Sequence, residues 1–218
     1  MLFEKYDRIV FAGDSVTDMN SAKPVGEGLF DTLGFGYVRM VENLLMSVYP
    51  EYNIRVTNSG IGGNTSRDLL NRWERDVLNL NPDWVSIMIG INDVWRQFDS
   101  PALPNQHVLP EEYAANLEEM VTRLQGKANV ILMTPYYMEP NQEDAMRRRM
   151  DEYGAIVRRV AERHGCLFVD LQAMFDRYFE VRHSSFVAWD RVHPNHTGAM
   201  LIANEVLRAV GFNKERLF

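Results

Sequence analysis

Ser15, Asp190 and His193 are the residues of this chain whose types and placing suit covalent chemistry. Ser15 closes the stretch Arg8-Ile-Val-Phe-Ala-Gly-Asp-Ser15, in which Ile9, Val10 and Phe11 form a short apolar run without charge. A run of that kind reads as a buried strand closing in a tight turn. In an open parallel sheet, ligands bind just beyond the carboxyl ends of the strands, so Ser15 is placed as a nucleophile would be. The plainer alternative is a turn in which Asp14 or Ser15 caps the next helix. Asp190 and His193 are three apart in Trp189-Asp-Arg-Val-His-Pro194, on a turn that meets a proline. That spacing lets the carboxylate accept from Nδ1–H while Nε2 faces outward as a base. An ion pair with a purely structural role, or a metal site completed by His196, are the competing readings. No cysteine or carboxylate cluster completes such a site, so no metal is expected.

Two further stretches suit an oxyanion. In Asn58-Ser-Gly-Ile-Gly-Gly-Asn-Thr65 the glycines allow close backbone approach just before a helix start, with Gly63 as donor. Phosphate is a weaker fit, because no basic residue occurs until Arg67. In Gly90-Ile-Asn-Asp93 the side-chain amide of Asn92 can donate to developing negative charge. A turn-forming Asn-Asp pair is the alternative there, and Asp93 is read as a brace for the loop.

Positioning these residues takes a sheet. Five apolar runs have strand length: Ile9–Ala12, Ile54–Thr57, Trp84–Ile89, Val130–Thr134 and Cys166–Asp170. None alternates polar with apolar residues, which suits strands buried on both faces. Helical spacing appears in Tyr37, Val41, Leu44, Leu45 and Val48, and again in Leu69, Trp73, Val77 and Leu80 after a cap at Thr65. Pro110-Glu-Glu opens a third helix, residues 144–164 give a fourth, and residues 194–210 the last. Arg147-Arg-Arg149 reads as a solvated face of the fourth. Strands alternating with helices imply an α/β fold. We expect a single domain over residues 1–218: a flavodoxin-like three-layer sandwich whose five parallel strands run in the order 2-1-3-4-5. Residues 19–36, 98–110 and 135–143 are rich in Gly or Pro and read as binding loops at the carboxyl edge.

Composition narrows the partners. The chain has 218 residues, 46% hydrophobic and 24% charged, with a net charge of −7. That charge argues against nucleic acid or an anionic membrane as partner. The start Met1-Leu-Phe-Glu-Lys-Tyr-Asp7 lacks a basic, then apolar, leader pattern, so a cytoplasmic location is expected. The single cysteine, Cys166, lies in an apolar run and reads as a small buried hydrophobe.

With these blocks in place, the sequence resembles the SGNH (GDSL-like) hydrolases. The resemblance rests on Gly13-Asp-Ser15, the glycine block ending at Gly63, Gly90-Ile-Asn-Asp93 and Asp190-Arg-Val-His193, in that order along nearly the whole chain. Val16 stands where leucine or isoleucine is usual. Within the family, Pro82–Gln97, Ile131–Pro135, Asp144–Arg148 and Ala188–Pro194 look like the bacterial intracellular acetyl-xylan esterases. The resemblance implies Ser15, His193 and Asp190 as catalytic residues and the Ser15 N–H, Gly63 N–H and Asn92 amide as oxyanion donors. It implies no cofactor, an acetylated xylo-oligosaccharide or similar small acetyl ester as substrate, and a homo-oligomer. Trp95, Tyr136 and Trp189 fall near strand ends and are expected to contact sugar rings. A thioesterase or lysophospholipase on the same machinery is the alternative enzyme; a sugar-binding protein with a dead site is the alternative outside enzymes. Phe179, Phe186 and Trp189 are candidate subunit contacts.

Overall fold

The uncharged runs become strands because only a site covered on both faces can shelter them from water. A computed structural model describes residues 1–28 and 30–216. In chain order the strands are β1 (Arg8–Gly13), β2 (Gly26–Glu27), β3 (Arg55–Gly60), β4 (Trp84–Met88), β5 (Asn129–Met133) and β6 (Leu167–Val169). The helices are α1 (Ser15–Asp18), α2 (Tyr37–Val48), α3 (Ser66–Asn71), α4 (Trp73–Asp76), α5 (Ile91–Asp99), α6 (Pro110–Thr122), α7 (Ala145–His164), α8 (Leu171–Phe179) and α9 (His196–Ala209).

The sheet order is β2-β3-β1-β4-β5-β6. The five expected strands are parallel neighbours in the expected order. The sixth, β2, is an antiparallel edge strand of two residues inside a segment read as a loop. Two residues carry too little pattern to be seen in sequence, and Gly26 is required there because a Cβ would lie 1.9 Å from the Thr32 carbonyl oxygen.

Helices cover both faces. Phe11, Tyr37, Val41, Leu45, Phe175 and Ile202 lie in one core cluster, to which α2, α8 and α9 contribute. Val10, Trp73, Val85, Leu117, Leu132 and Tyr153 lie in the other, to which α4, α6 and α7 contribute. Burying each such side chain contributes roughly 1.5–3 kcal/mol. Adjacent residues of β1 alternate between the two clusters, as a strand's twofold side-chain period demands.

Local sequence sets several helix ends. Thr65 and Asp68 form the expected capping box on α3. The helix expected to run on to Leu80 instead breaks at Arg72, whose N–H turns back to the Leu69 carbonyl. Arg147 corrects another expectation: it is buried at 3% exposure, with Asp176 and Asp151 accepting from its guanidinium. A run of three arginines looks solvated, but the helical turn sends Arg147 inward and Arg148 and Arg149 outward. Cys166 is half-buried, and burial pushes its thiol up to about 11. No helix among the described residues is long and apolar enough to cross a membrane.

Register is what matters for chemistry. Gly13 of β1 pairs with Gly60 of β3 on one side and Met88 of β4 on the other. Three strands therefore end level, and the segments after them open onto one crevice at the point where the chain direction across the sheet reverses.

Candidate active site

Ser15 follows β1 across one residue and opens α1. The Asp14 carboxylate caps that short helix by accepting from the Val16 N–H at 3.0 Å. Gly13 is required before it: a Cβ there would lie 2.3 Å from Thr17 Oγ1 and 2.4 Å from the Met88 carbonyl oxygen. As the first residue of a helix, Ser15 has a main-chain N–H with no intrahelical acceptor.

The C-terminal turn reaches the same edge. Ser15 Oγ lies 2.8 Å from His193 Nε2, and His193 Nδ1 lies 2.6 Å from Asp190 Oδ2. The other carboxylate oxygen, Oδ1, accepts from the N–H groups of Val192 (3.0 Å) and His193 (2.8 Å). Burial pushes the Asp190 carboxyl upward, but the His193 ring and these two N–H groups outweigh it and hold its pKa below the usual range. Asp190 therefore stays an anion facing the imidazole, which fixes the ring and favours a proton on Nδ1.

The turn is clamped from outside. Arg191 takes a left-handed φ of 64°, its carbonyl accepts from the Met138 N–H at 2.8 Å, and its guanidinium meets Glu139 at 2.6 Å. The Tyr136 hydroxyl donates to the Val192 carbonyl at 3.3 Å. That contact corrects the expectation of a sugar-binding Tyr136. Its ring is 3% exposed and packs against Phe175, so it supports the turn from below. An aromatic residue after a strand looks the same in sequence whether it faces in or out.

After β3 the chain makes the glycine loop. The Gly62 N–H donates to Asp18 at 3.1 Å, and the Asn64 N–H closes a turn on the Ile61 carbonyl at 3.2 Å. Gly63 has a φ of 80°, a conformation that favours glycine, and its N–H meets no acceptor among the described residues. Asn92 enters from the third strand end as the second residue of α5. The alternative of a turn at Asn92-Asp93 does not hold: Gly90, at φ 132°, is followed directly by a helix. Asn92 is buried, and Nδ2 donates one hydrogen to the Asn64 carbonyl at 3.0 Å. An amide carries two hydrogens, so the second is available to a ligand. Asp93 braces the loop: its buried carboxyl accepts from the Ser66 N–H (3.0 Å) and hydroxyl (2.5 Å).

Ser15, His193 and Asp190 are thus joined in one hydrogen-bonded chain at the carboxyl edge, and Gly63 and Asn92 follow the two neighbouring strands, linked to each other through Asn64. Trp95 borders that hydrogen-bonded chain, with its ring 6.1 Å from the His193 ring. Trp189 stands on the rim at 89% exposure. His196 faces Phe35 edge-on at 6.3 Å, and among the described residues no group of three or more His, Cys, Asp or Glu is arranged to hold a metal ion. Phe179, offered as a subunit contact, is partly buried and stacks on Phe175. The residues that sequence reasoning missed are Asn64 and Arg191; both lie inside the motif stretches, and neither has a type that advertises chemistry.

Burial also pushes the carboxyls of Asp14 and Asp93 up, each to about 7, with mutual repulsion raising Asp14 further. A raised folded-state pKa means the fold prefers the protonated acid. Its contribution to stability is complete below the ordinary carboxylate value of 3.8 and is lost as pH rises through about 7. The melting temperature should therefore climb as pH is lowered from about 8 to about 5. Asp14→Asn, which keeps an oxygen for the Val16 N–H, should melt several degrees higher at pH 8 and show a shallower slope. Calorimetry across that range checks both, and a wild-type curve that falls on acidification would contradict them.

A doubly wound sheet that holds a serine, a histidine and an aspartate in one hydrogen-bonded chain at its carboxyl edge is the architecture of a hydrolase. The chain belongs to the GDSL-like Lipase/Acylhydrolase family, whose model matches residues 11–201. It is 51% identical over 207 residues to an acetylxylan esterase from Geobacillus stearothermophilus, covering 94% of each chain. The crystal structure of a catalytic mutant of Axe2, an acetylxylan esterase from that organism, superposes over 100% of both chains with a TM-score of 0.98 and 49% identity. An α/β hydrolase from the metagenome of Lake Arreo, Spain, matches over 97% of this chain and 98% of its own, with a TM-score of 0.95 and 52% identity.

Proposed function

We propose that this chain is a serine esterase that removes acetyl groups from xylo-oligosaccharides or similar acetylated sugars through an acyl-enzyme. The observation that carries the reading is the Ser15–His193–Asp190 chain, at 2.8 and 2.6 Å. Likeness to acetylxylan esterases supplies the substrate class.

Ser15 Oγ attacks the acetyl carbonyl carbon while His193 Nε2 takes its proton. Negative charge on the former carbonyl oxygen meets the N–H groups of Ser15 and Gly63 and the Asn92 amide. Collapse breaks the bond to the sugar oxygen, which leaves with the proton from His193. Water then attacks the acetyl-enzyme, His193 takes its proton and returns it to Ser15 Oγ, and acetate departs. Trp95 and Trp189 offer aromatic faces to the sugar ring.

Rates on p-nitrophenyl acetate, butyrate and octanoate, beside acetylated xylo-oligosaccharides, test the assignment. Turnover should fall with acyl length, be highest on the acetylated sugars and survive EDTA. A preference for octanoate would support the lysophospholipase or thioesterase reading instead. Activity lost to EDTA and restored by zinc would support a metal site at Asp190, His193 and His196.

Asn92→Ala should lower kcat roughly 10²–10³-fold and leave KM nearly unchanged. The carbonyl oxygen is nearly neutral in the bound ester and carries most of a negative charge in the tetrahedral transition state. A donor aimed at the later position contributes mainly to the barrier. A folded variant with normal kcat would remove Asn92 from the oxyanion site.

The protein is further proposed to assemble as a homo-oligomer. Val181, Phe186 and Trp189, on the segment leading into the catalytic turn, are all exposed and suit contact with a second copy. Light scattering should give a multiple of the 25.2 kDa chain mass; the single-chain mass at working concentration would contradict it.

A further inference from the structure

The three proposed oxyanion donors come from separate segments, and one buried cation touches all of their supports. Arg72 stands at the break between α3 and α4, 8% exposed. Its Nη2 donates to the Gly13 carbonyl (3.0 Å), one residue before the Asp14 cap of the Ser15 helix, and to the Ser59 carbonyl (2.8 Å) at the end of β3. Its Nη1 donates to the Ser59 hydroxyl (3.0 Å) and to Asp76 (3.4 Å). That leaves Nε, which donates to Asn64 Oδ1 at 2.7 Å. A planar, fixed fork of donors suits such a junction, because it dictates direction as well as distance.

Asn64 is the next link. Its side chain is held by Arg72 and its N–H by the Ile61 carbonyl, so its own carbonyl has a fixed direction. That carbonyl accepts from Asn92 Nδ2 at 3.0 Å. An amide group is planar, so fixing one N–H fixes the other. The bond to Asn64, the shorter of two that hold the amide (Arg96 Nη2 donates to Asn92 Oδ1 at 3.4 Å), therefore sets where the second Asn92 hydrogen points. We propose that Asn64, anchored on the buried Arg72 guanidinium, is a positioning residue that aims the Asn92 amide at the oxyanion. It touches no reacting atom and acts through Asn92. The inference rests on the esterase reading above and deepens it.

Asn64→Ala is a clean variant. Asn64 is not in the left-handed region, it lies on a half-exposed loop, and alanine removes only the anchor to Arg72. With p-nitrophenyl acetate, kcat should fall about tenfold while KM stays within about twofold, since misaiming a preorganised donor acts on the transition state. The melting temperature reports that the fold is kept. The decisive measurement is a double-mutant cycle with Asn92→Ala. If Asn64 works through Asn92, the double variant loses no more kcat than Asn92→Ala alone. A double variant whose loss is the product of the two single losses overturns the proposal. So does an Asn64→Ala enzyme with wild-type kcat. Failure of the underlying reading looks different: the wild-type protein would not turn over the ester, or Asn92→Ala would be fully active.

Discussion

Ser15→Ala is expected to abolish ester turnover while leaving the fold and the melting temperature nearly intact. Removing the nucleophile of a triad hydrolase costs about 10⁶ in kcat. The size of the loss reflects what Oγ alone supplies. Without it there is no acyl-enzyme, and water must attack the ester directly in a site shaped for a different approach. The structure lets the substitution be clean. Ser15 is only partly buried, its hydroxyl meets His193 Nε2, and the Asp14 cap on the Val16 N–H does not involve it. The oxyanion donors and Trp95 remain in place, so acetylated sugar should still bind. The measurement is kcat on p-nitrophenyl acetate, with calorimetric titration of an acetylated xylo-oligosaccharide into the inactive protein. Near-normal turnover in the variant would sink the serine mechanism. Labelling of the wild-type protein by a phosphonyl fluoride, absent in the variant, places the nucleophile at residue 15 independently.

Much of this site was legible before any coordinates, for a physical reason. Strands buried on both faces carry apolar runs, so β1, β3, β4, β5 and β6 stand out, within a residue of their observed ends except at β3, which runs three residues past Thr57 through the buried polar Asn58 and Ser59 to Gly60. The polar residues that follow each run are then strand-end residues, and parallel order brings them to one edge. Elements defined by contact with something else were less visible. α5 was hidden because Gly90-Ile-Asn-Asp93 has turn residues, although Ile91, Val94, Trp95 and Phe98 keep helical spacing. α8 was passed over for a similar reason: Leu171, Met174 and Phe175 face inward, behind an Asp170 cap that ended the strand reading. Tyr136 and Arg147 were misjudged because side-chain direction depends on tertiary packing, which a lone sequence does not state. Arg72 and Asn64 belong to the same class, since a buried guanidinium joining three chain segments leaves no periodic signal.

Asp190→Asn is expected to lower kcat by about 10⁴ with little change in KM, the cost seen when a triad histidine is held in the wrong tautomer. The two carboxylate oxygens of Asp190 have separate tasks. Oδ1 caps the turn through the Val192 and His193 N–H groups, and Oδ2 faces His193 Nδ1 at 2.6 Å. Asparagine has one acceptor oxygen and one donor nitrogen. The two turn N–H groups claim the oxygen, which leaves the amide N–H₂ pointing at the imidazole. Nδ1 must then accept, so the ring proton moves to Nε2. With a hydrogen on Nε2, His193 can donate to Ser15 Oγ but cannot take its proton. The geometry survives and the base is lost. The anion that would stabilise the imidazolium, a carboxylate held below the usual range by the His193 ring and the two turn N–H groups, is lost with it. If Asp190 served only to cap the turn, asparagine would be an adequate replacement and kcat would stay near the wild-type value. Asp190→Ala removes both tasks and should also melt lower. Measuring kcat, KM and melting temperature for both variants separates the roles. An active Asp190→Asn enzyme would leave His193 without an orienting acid and return Asp190 to a structural place in the turn.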